Sequence, residues 1–454
     1  MATTTADTTL ASPAPGARRA GRWIDDYDPE DSGFWESTGR RIARRNLGFS
    51  IFAEFIGFSV WQLWSIVAVS LPAAGFTFTQ DQLFWLVAIP SLVGATLRLP
   101  YTFAVPKFGG RNWTIVSALL LILPAGGLAY VVGQPTTPFW VMVLMAALAG
   151  VGGGNFASSM ANISFFYPQK EKGRALGLNA AGGNLGVAVV QLAVPLVVVI
   201  GGGFALERAG LIWIPLAILA AFLAWRYMDN LTSAKSDFAG SVAAAKRKHT
   251  WIMCFLYIGT FGSFIGYSAA FPLLVKTQFP VVPVVAVAFL GPLVGSSVRP
   301  LGGVLADRFG GARVTAVAFV VMAGGALGVV AALRLHSFPL FLTAFLILFL
   351  ASGAGNGSTY RMIPAIFHAQ ALIDGDEAES RRKARREAAA CIGIASAIGA
   401  YGGFLVPRGF ALSTTQSGSL IPALYVFVGF YAVCLLVTWA VYLRRTAVMG
   451  VARV

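Results

Sequence analysis

Apolar positions run along this chain in unbroken stretches of about 20 or more residues, and the charged positions gather in the short intervals between them. At about 1.5 Å of rise per residue, runs of that length match the roughly 30 Å of hydrocarbon in a bilayer. Twelve are found, at 46–74, 82–105, 113–132, 139–166, 175–200, 210–228, 250–275, 284–306, 314–334, 338–367, 389–407 and 420–443. Backbone amides in lipid must find partners within their own segment, and these runs are too long for barrel strands. The pattern therefore predicts an all-α polytopic membrane protein with twelve transmembrane helices in two six-helix repeats. Its parts are an N-terminal tail at 1–45, a six-helix bundle at 46–228, a linker at 229–249, a second bundle at 250–443 and a tail at 444–454. Residues 1–20, rich in Thr, Ala and Pro, read as disordered. The stretch 369–388, with five acids and five bases, reads as a solvated helix or loop.

Composition narrows the function. Hydrophobic residues make up 57% of the chain and charged ones 12%, against about 25% in soluble domains, which excludes an ordinary soluble enzyme. The net charge of +15, from 34 Lys and Arg against 19 Asp and Glu, would by itself suggest a nucleic-acid partner. Its distribution says otherwise. With the N-terminus inside, 27 Lys and Arg fall on the cytoplasmic side and only Arg208, Lys276, Arg334 and Arg408 on the other. The expectation is a multi-pass protein of the cell membrane, in contact with lipid, with both termini cytoplasmic and no nucleic-acid partner. No apolar leader appears in the first 45 residues. Cys254, Cys391 and Cys434 have no paired spacing, and His249, His336 and His368 are scattered, so neither a metal nor another cofactor is expected. No nucleophile and base pair up in a way that would suggest an enzyme.

The chain repeats itself. An offset of 201 aligns Leu92-Val93-Gly94-x-x-x-Arg98 with Leu293-Val294-Gly295-x-x-x-Arg299, and Phe108-Gly109-Gly110 with Phe309-Gly310-Gly311. Without a gap it also matches Gly152-x-Gly154-Asn155-x-x-Ser158 to Gly353-x-Gly355-Asn356-x-x-Thr359. An offset of 216 then pairs Gly177, Ala181, Gly183 and Gly186 with Gly393, Ala397, Gly399 and Gly402. Two parallel halves of this kind are the build of transporters whose substrate sits at the midplane between them.

Away from the ends of the expected helices, the charged residues are Glu54, Arg98, Arg299 and Arg361. A central Arg costs roughly 2.5–3.5 kcal/mol even on the lenient insertion scale, so these residues need a reason to be there. Arg98 and Arg299 are repeat equivalents, and with one acid in the membrane at most one of them can be neutralised by a side chain. Their guanidinium forks suit a planar oxyanion. Arg361, near the cytoplasmic end of the tenth run, is better read as pairing or snorkelling. Asn155 and Asn356, with Asn179 and Asn184, either hydrogen-bond substrate or join helices.

The motifs RRNLGFSIF, LRLPYTFAVPKFGGRNWT, GGGNFASSMANISFFYP, GRALGLNAAGGNLG, FGSFIGYSAAF and GIASAIGAYGGF, spread over residues 25–445, resemble the nitrate/nitrite porter family of the major facilitator superfamily. The superfamily's loop motif stands as Gly303-x-x-x-Asp307-Arg308-x-Gly310-x-x-Arg313; its first-half counterpart carries Pro106-Lys107 instead of Asp-Arg. The resemblance implies transport of nitrate and nitrite, with Arg98 and Arg299 as anion ligands. It further implies that Asn184 and Tyr257 hydrogen-bond the anion, that Phe156 and Phe261 pack against it, and that Ser396 contributes. Ala180 stands where the family usually has Gly, so local packing of the fifth helix differs.

The function expected is a monomeric nitrate and nitrite transporter working by alternating access, with exchange favoured because an empty site would leave two arginines repelling each other. Glu54 keeps nitrate/proton symport open, and a porter for another small anion such as formate or phosphate would share the arginines.

Overall fold

The computed structural model describes residues 16–235, 238–373, 375, 378–444 and 454. Among the described residues, twelve helices are long and apolar enough to cross a membrane. They are α1 (Ser32–Ser70), α2 (Gln80–Phe108), α3 (Gly110–Val132), α4 (Phe139–Phe166), α5 (Gln169–Val197) and α6 (Arg208–Tyr227) in the first half. The second half holds α7 (Lys248–Gln278), α8 (Val284–Phe309), α9 (Gly311–Arg334), α10 (Phe338–Ile373), α11 (Glu379–Ser417) and α12 (Ile421–Leu443). An even number of crossings returns both ends of the chain to one side, called here the tail side.

Helix ends differ from the apolar runs for a physical reason: hydropathy reports depth in the bilayer, not where a helix stops. α1 begins at Ser32 rather than near 46, because the Asp31 carboxylate caps it, accepting from the amides of Gly33 (2.9 Å) and Phe34 (3.4 Å). Of the charged stretch 369–388, residues 369–373 end α10 and 379–388 begin α11, while 374, 376 and 377 lie outside the described residues. The turns from α2 to α3 and from α8 to α9 hold Gly109 (φ 88°) and Gly310 (φ 93°), a left-handed conformation reached at the same place in both repeats.

Residues 1–15 of the segment expected to be disordered, and 445–453 of the final tail, lie outside the described residues. Residues 18–19, also expected to be disordered, are ordered. They form strand β1 (Arg18–Arg19), which pairs antiparallel with β2 (Trp23–Ile24), and β2 pairs parallel with β3 (Asn230–Leu231) from the linker. Asp229, fully buried just before β3, explains the order. It is ion-paired to Arg18 (2.7 Å), Arg22 (2.9 Å) and Arg45 and accepts from the Asn46 amide at 3.1 Å. Burial alone would raise this carboxyl, but the Arg18 hydrogen bond and the charges of Arg45 and Arg18 hold it below the usual carboxylate range.

Candidate functional site

Arg98 on α2 and Arg299 on α8 are both buried near the middle of their helices. The guanidinium carbon of Arg98 lies 4.5 Å from the centroid of the Phe156 ring, and that of Arg299 lies 5.9 Å from it, so one ring on α4 serves both cations. Phe261 on α7 stacks near Phe156 (6.2 Å, 23° between planes) and is itself 5.1 Å from Arg98. Tyr257, one turn earlier on α7, stacks on Phe261 at 5.3 Å, and its hydroxyl oxygen accepts from Arg299 Nη2 at 3.5 Å. A π-helical turn over Ile258–Gly262 begins directly after Tyr257 and contains Phe261.

Arg98 is held by carbonyls: its Nε donates to Gly153 (3.1 Å) and its Nη1 to Ser396 of α11 (2.7 Å). Ser396 thus reaches the site through its backbone, while its hydroxyl donates to Gly393 at 2.9 Å on its own helix. Among the described residues neither Arg98 nor Arg299 forms an ion pair, and Arg98 Nη2 and Arg299 Nη1 are buried with no hydrogen-bond partner. Asn184 on α5 is buried with both amide atoms unpartnered among the described residues. Asn155 faces α1, its Nδ2 only 2.8 Å from where a Cβ on Gly57 would stand, and its Oδ1 is buried with no partner among the described residues. Arg361 is half-exposed at the tail side and ion-paired to Asp307 of the loop motif, on the helix that ends Asp307-Arg308-Phe309.

Sequence reasoning missed Trp61 and Tyr360. The Trp61 ring on α1 is 5.4 Å from Arg98, and its Nε1 donates to the Pro90 carbonyl at 2.9 Å. Tyr360 on α10 is 5.8 Å from Arg299, and its buried hydroxyl has no partner among the described residues. Tyr360 lies four residues after Asn356, on the same helical face, which is a signal the repeat already offered. The result is a cage of aromatic faces around two cations, each with a donor to spare.

Bonds that join the two halves lie at this layer and on the side away from the tails. Gln191 of α5 donates to the Ser268 carbonyl of α7 at 2.7 Å, and the Thr96 and Tyr401 hydroxyls are 2.9 Å apart. Arg408 of α11 binds Asp81 of α2 at 2.8 Å with its guanidinium carbon 4.2 Å from the Trp85 ring. Partly exposed, this pair and its cation–π contact together contribute about 1 kcal/mol. In Arg408→Ala, a thiol reagent should label Ser91→Cys, on the same interface, about fivefold faster than in the parent; unchanged labelling would show that the pair is no latch.

The sequence pattern of the Major Facilitator Superfamily matches residues 48–407. The chain is 45% identical to "Nitrate/nitrite transporter NarU" of Salmonella typhimurium, over 93% of this chain and 96% of that protein. It is 38% identical to "Probable nitrate/nitrite antiporter NarK2" of Thermus thermophilus, over 94% and 98%. Among solved structures, the xylose transporter XylE of E. coli in a partially occluded inward-open conformation superposes with a TM-score of 0.65 at 13% identity, covering 88% of this chain and 99% of that one, a likeness of fold alone. Twelve spans, an internal repeat with matched buried arginines, and these relatives together place the chain in the nitrate/nitrite porter family of the Major Facilitator Superfamily, to which it belongs.

Proposed function

We propose that this protein carries nitrate and nitrite across the cytoplasmic membrane by alternating access, with exchange of one anion for the other as its basic cycle and with both termini in the cytoplasm. The observation that carries this reading is the pair Arg98 and Arg299: two buried cations from matched positions, on one phenylalanine ring, each with an unpartnered N–H. A planar, singly charged oxyanion satisfies both donors, screens the two charges from each other, and presents flat faces to Phe156, Phe261 and Tyr257. Asn184 is positioned by the same reading as a further donor. Binding relieves the repulsion across the interface, so the loaded carrier closes around its substrate more readily than the empty one. The names of the relatives support nitrate and nitrite as the substrates, and one of them is called an antiporter. The concentration of Lys and Arg on the tail side supports its placement in the cytoplasm.

The test is counterflow. Proteoliposomes loaded with nitrite should accumulate labelled external nitrate without a pH gradient, and excess external nitrite should compete while formate and phosphate do not. Competition by formate or phosphate at equal concentration would reassign the substrate, and absence of any counterflow would refute the exchange cycle.

A further inference from the structure

Arg98 and Arg299 are repeat equivalents, but the helices beside them differ. At the offset of 201, Phe156 of α4 corresponds to Gly357 of α10, and Ser159 to Tyr360. Gly357 is bare for a reason: a Cβ there would stand 2.1 Å from the carbonyl oxygen of Arg299, so α10 lies directly against α8 at that arginine. The aromatic ring of α10 comes three residues later, as Tyr360, 5.8 Å from the Arg299 guanidinium carbon and 6.4 Å from the Tyr257 ring. Even-numbered helices run toward the tail side and odd-numbered ones away from it, so Tyr360 and Tyr257 both lie to the tail side of the stacked Phe156 and Phe261. They form the floor of the cage on that side.

The two repeat-equivalent hydroxyls are treated differently. Ser159 donates to the Glu54 carboxylate, which also accepts from Asn179 Nδ2 at 2.8 Å. The Tyr360 hydroxyl is buried with no partner among the described residues, although Arg299, Tyr257 and Glu54 lie within electrostatic reach of it. Phenylalanine would fill the same space, and a buried hydroxyl left unpaired is a net cost to the fold. Its neighbour is held loosely as well. Arg299 makes one hydrogen bond among the described residues, the 3.5 Å contact from Nη2 to Tyr257, whereas Arg98 is tied at Nε and Nη1. Two unpaired donors therefore meet at the tail-side floor, Arg299 Nη1 and the Tyr360 hydroxyl.

Resting on the anion-carrier reading, we infer that Tyr360 is a specificity-determining ligand whose hydroxyl donates to the third oxygen of nitrate, an oxygen that nitrite lacks. Nitrate is a flat triangle of equivalent oxygens, and nitrite is a bent pair. In either anion Arg98 Nη2 and Arg299 Nη1 take one oxygen each, between the Phe156 and Phe261 rings. The remaining corner of nitrate then meets the phenol at the floor, whereas nitrite offers there only the weaker lone pair of its nitrogen. A neutral phenol suits this role: a third cation would tighten the hold on every anion alike, while a donor left unpaired by the wrong ligand penalises that ligand alone. The ring over Arg299 serves both anions, and the hydroxyl separates them.

The experiment compares the purified full-length wild type with Tyr360→Phe, which keeps the ring over Arg299 and removes one oxygen. Nitrate and nitrite are each titrated by calorimetry, and thermal unfolding is followed without anion. Nitrate affinity is expected to fall by about tenfold in Tyr360→Phe, and nitrite affinity by less than about threefold, so the ratio of the two affinities shifts toward nitrite. The unfolding midpoint without anion should not fall, because the hydroxyl has no partner in the empty protein. Equal changes for the two anions overturn the inference, as does no change for either, which would leave the hydroxyl to a bound water. A midpoint several degrees lower without anion also overturns it, since the hydroxyl would then already be paired within the fold. Wild type that binds neither anion would instead strike the anion-carrier reading on which the inference rests.

Discussion

Lysine in place of Arg98 or of Arg299 is expected to weaken nitrate binding to the purified protein by about 100-fold, or ~2.7 kcal/mol. Both variants keep the positive charge, so a loss of this size isolates geometry. Arg98 spends Nε and Nη1 on the carbonyls of Gly153 and Ser396 and still has Nη2 free; a lysine ammonium has three donors on one atom and cannot hold two carbonyls and an anion in that fork. It also loses the stacking of a flat guanidinium on Phe156. Titration of nitrate into the two variants by calorimetry or by tryptophan fluorescence measures the change. Affinity within twofold of wild type in both would mean that the anion is held by charge alone, or elsewhere.

The second large effect concerns stability. Asp229→Asn should destabilise the folded protein by about 2–4 kcal/mol, because it leaves Arg18, Arg22 and Arg45 converging without their shared counter-charge. The loss is smaller than for a fully buried pair because the three arginines keep partial contact with water. The direction with pH follows from the carboxyl, whose folded value lies below the ordinary one. Its contribution is complete above the unfolded carboxylate range, near about pH 4, and is lost as pH falls through the depressed folded value. Thermal unfolding in detergent should show a midpoint several degrees lower for Asp229→Asn at neutral pH, with the gap narrowing toward strong acid. Equal midpoints at neutral pH would mean that the N-terminal strands are not anchored by this residue.

The arginine pair was legible in the sequence because two independent constraints met there. A charge inside an apolar run is costly, and the internal repeat placed Arg98 and Arg299 at equal depth. The number of helices was legible for the same reason, since lipid admits one spanning solution to runs of that length. What surrounds the arginines was less so. Trp61 and Tyr360 are aromatic residues in apolar helices, and nothing in composition separates such a residue facing a cation from one facing lipid. Asn155 and Asn184 illustrate the same limit: both are amides in glycine-rich helices, yet the structure sets Asn155 Nδ2 against Gly57 with only its Oδ1 unpartnered, and leaves Asn184 with both amide atoms unpartnered, among the described residues. The sheet of β1, β2 and β3 joins segments about two hundred residues apart, and pairings of that range leave no local pattern. The ordered start of α1 was hidden because its charged first turns carry no hydropathic signal, although the cap at Asp31 did.

The most direct measurement of the central claim is an experimental structure of the protein with nitrate bound. The account predicts anion density between Arg98 Nη2 and Arg299 Nη1, flanked by the rings of Phe156, Phe261 and Tyr257 and absent from the same map without nitrate. Density for nitrate elsewhere in the protein, with this position unchanged between the two maps, would contradict it.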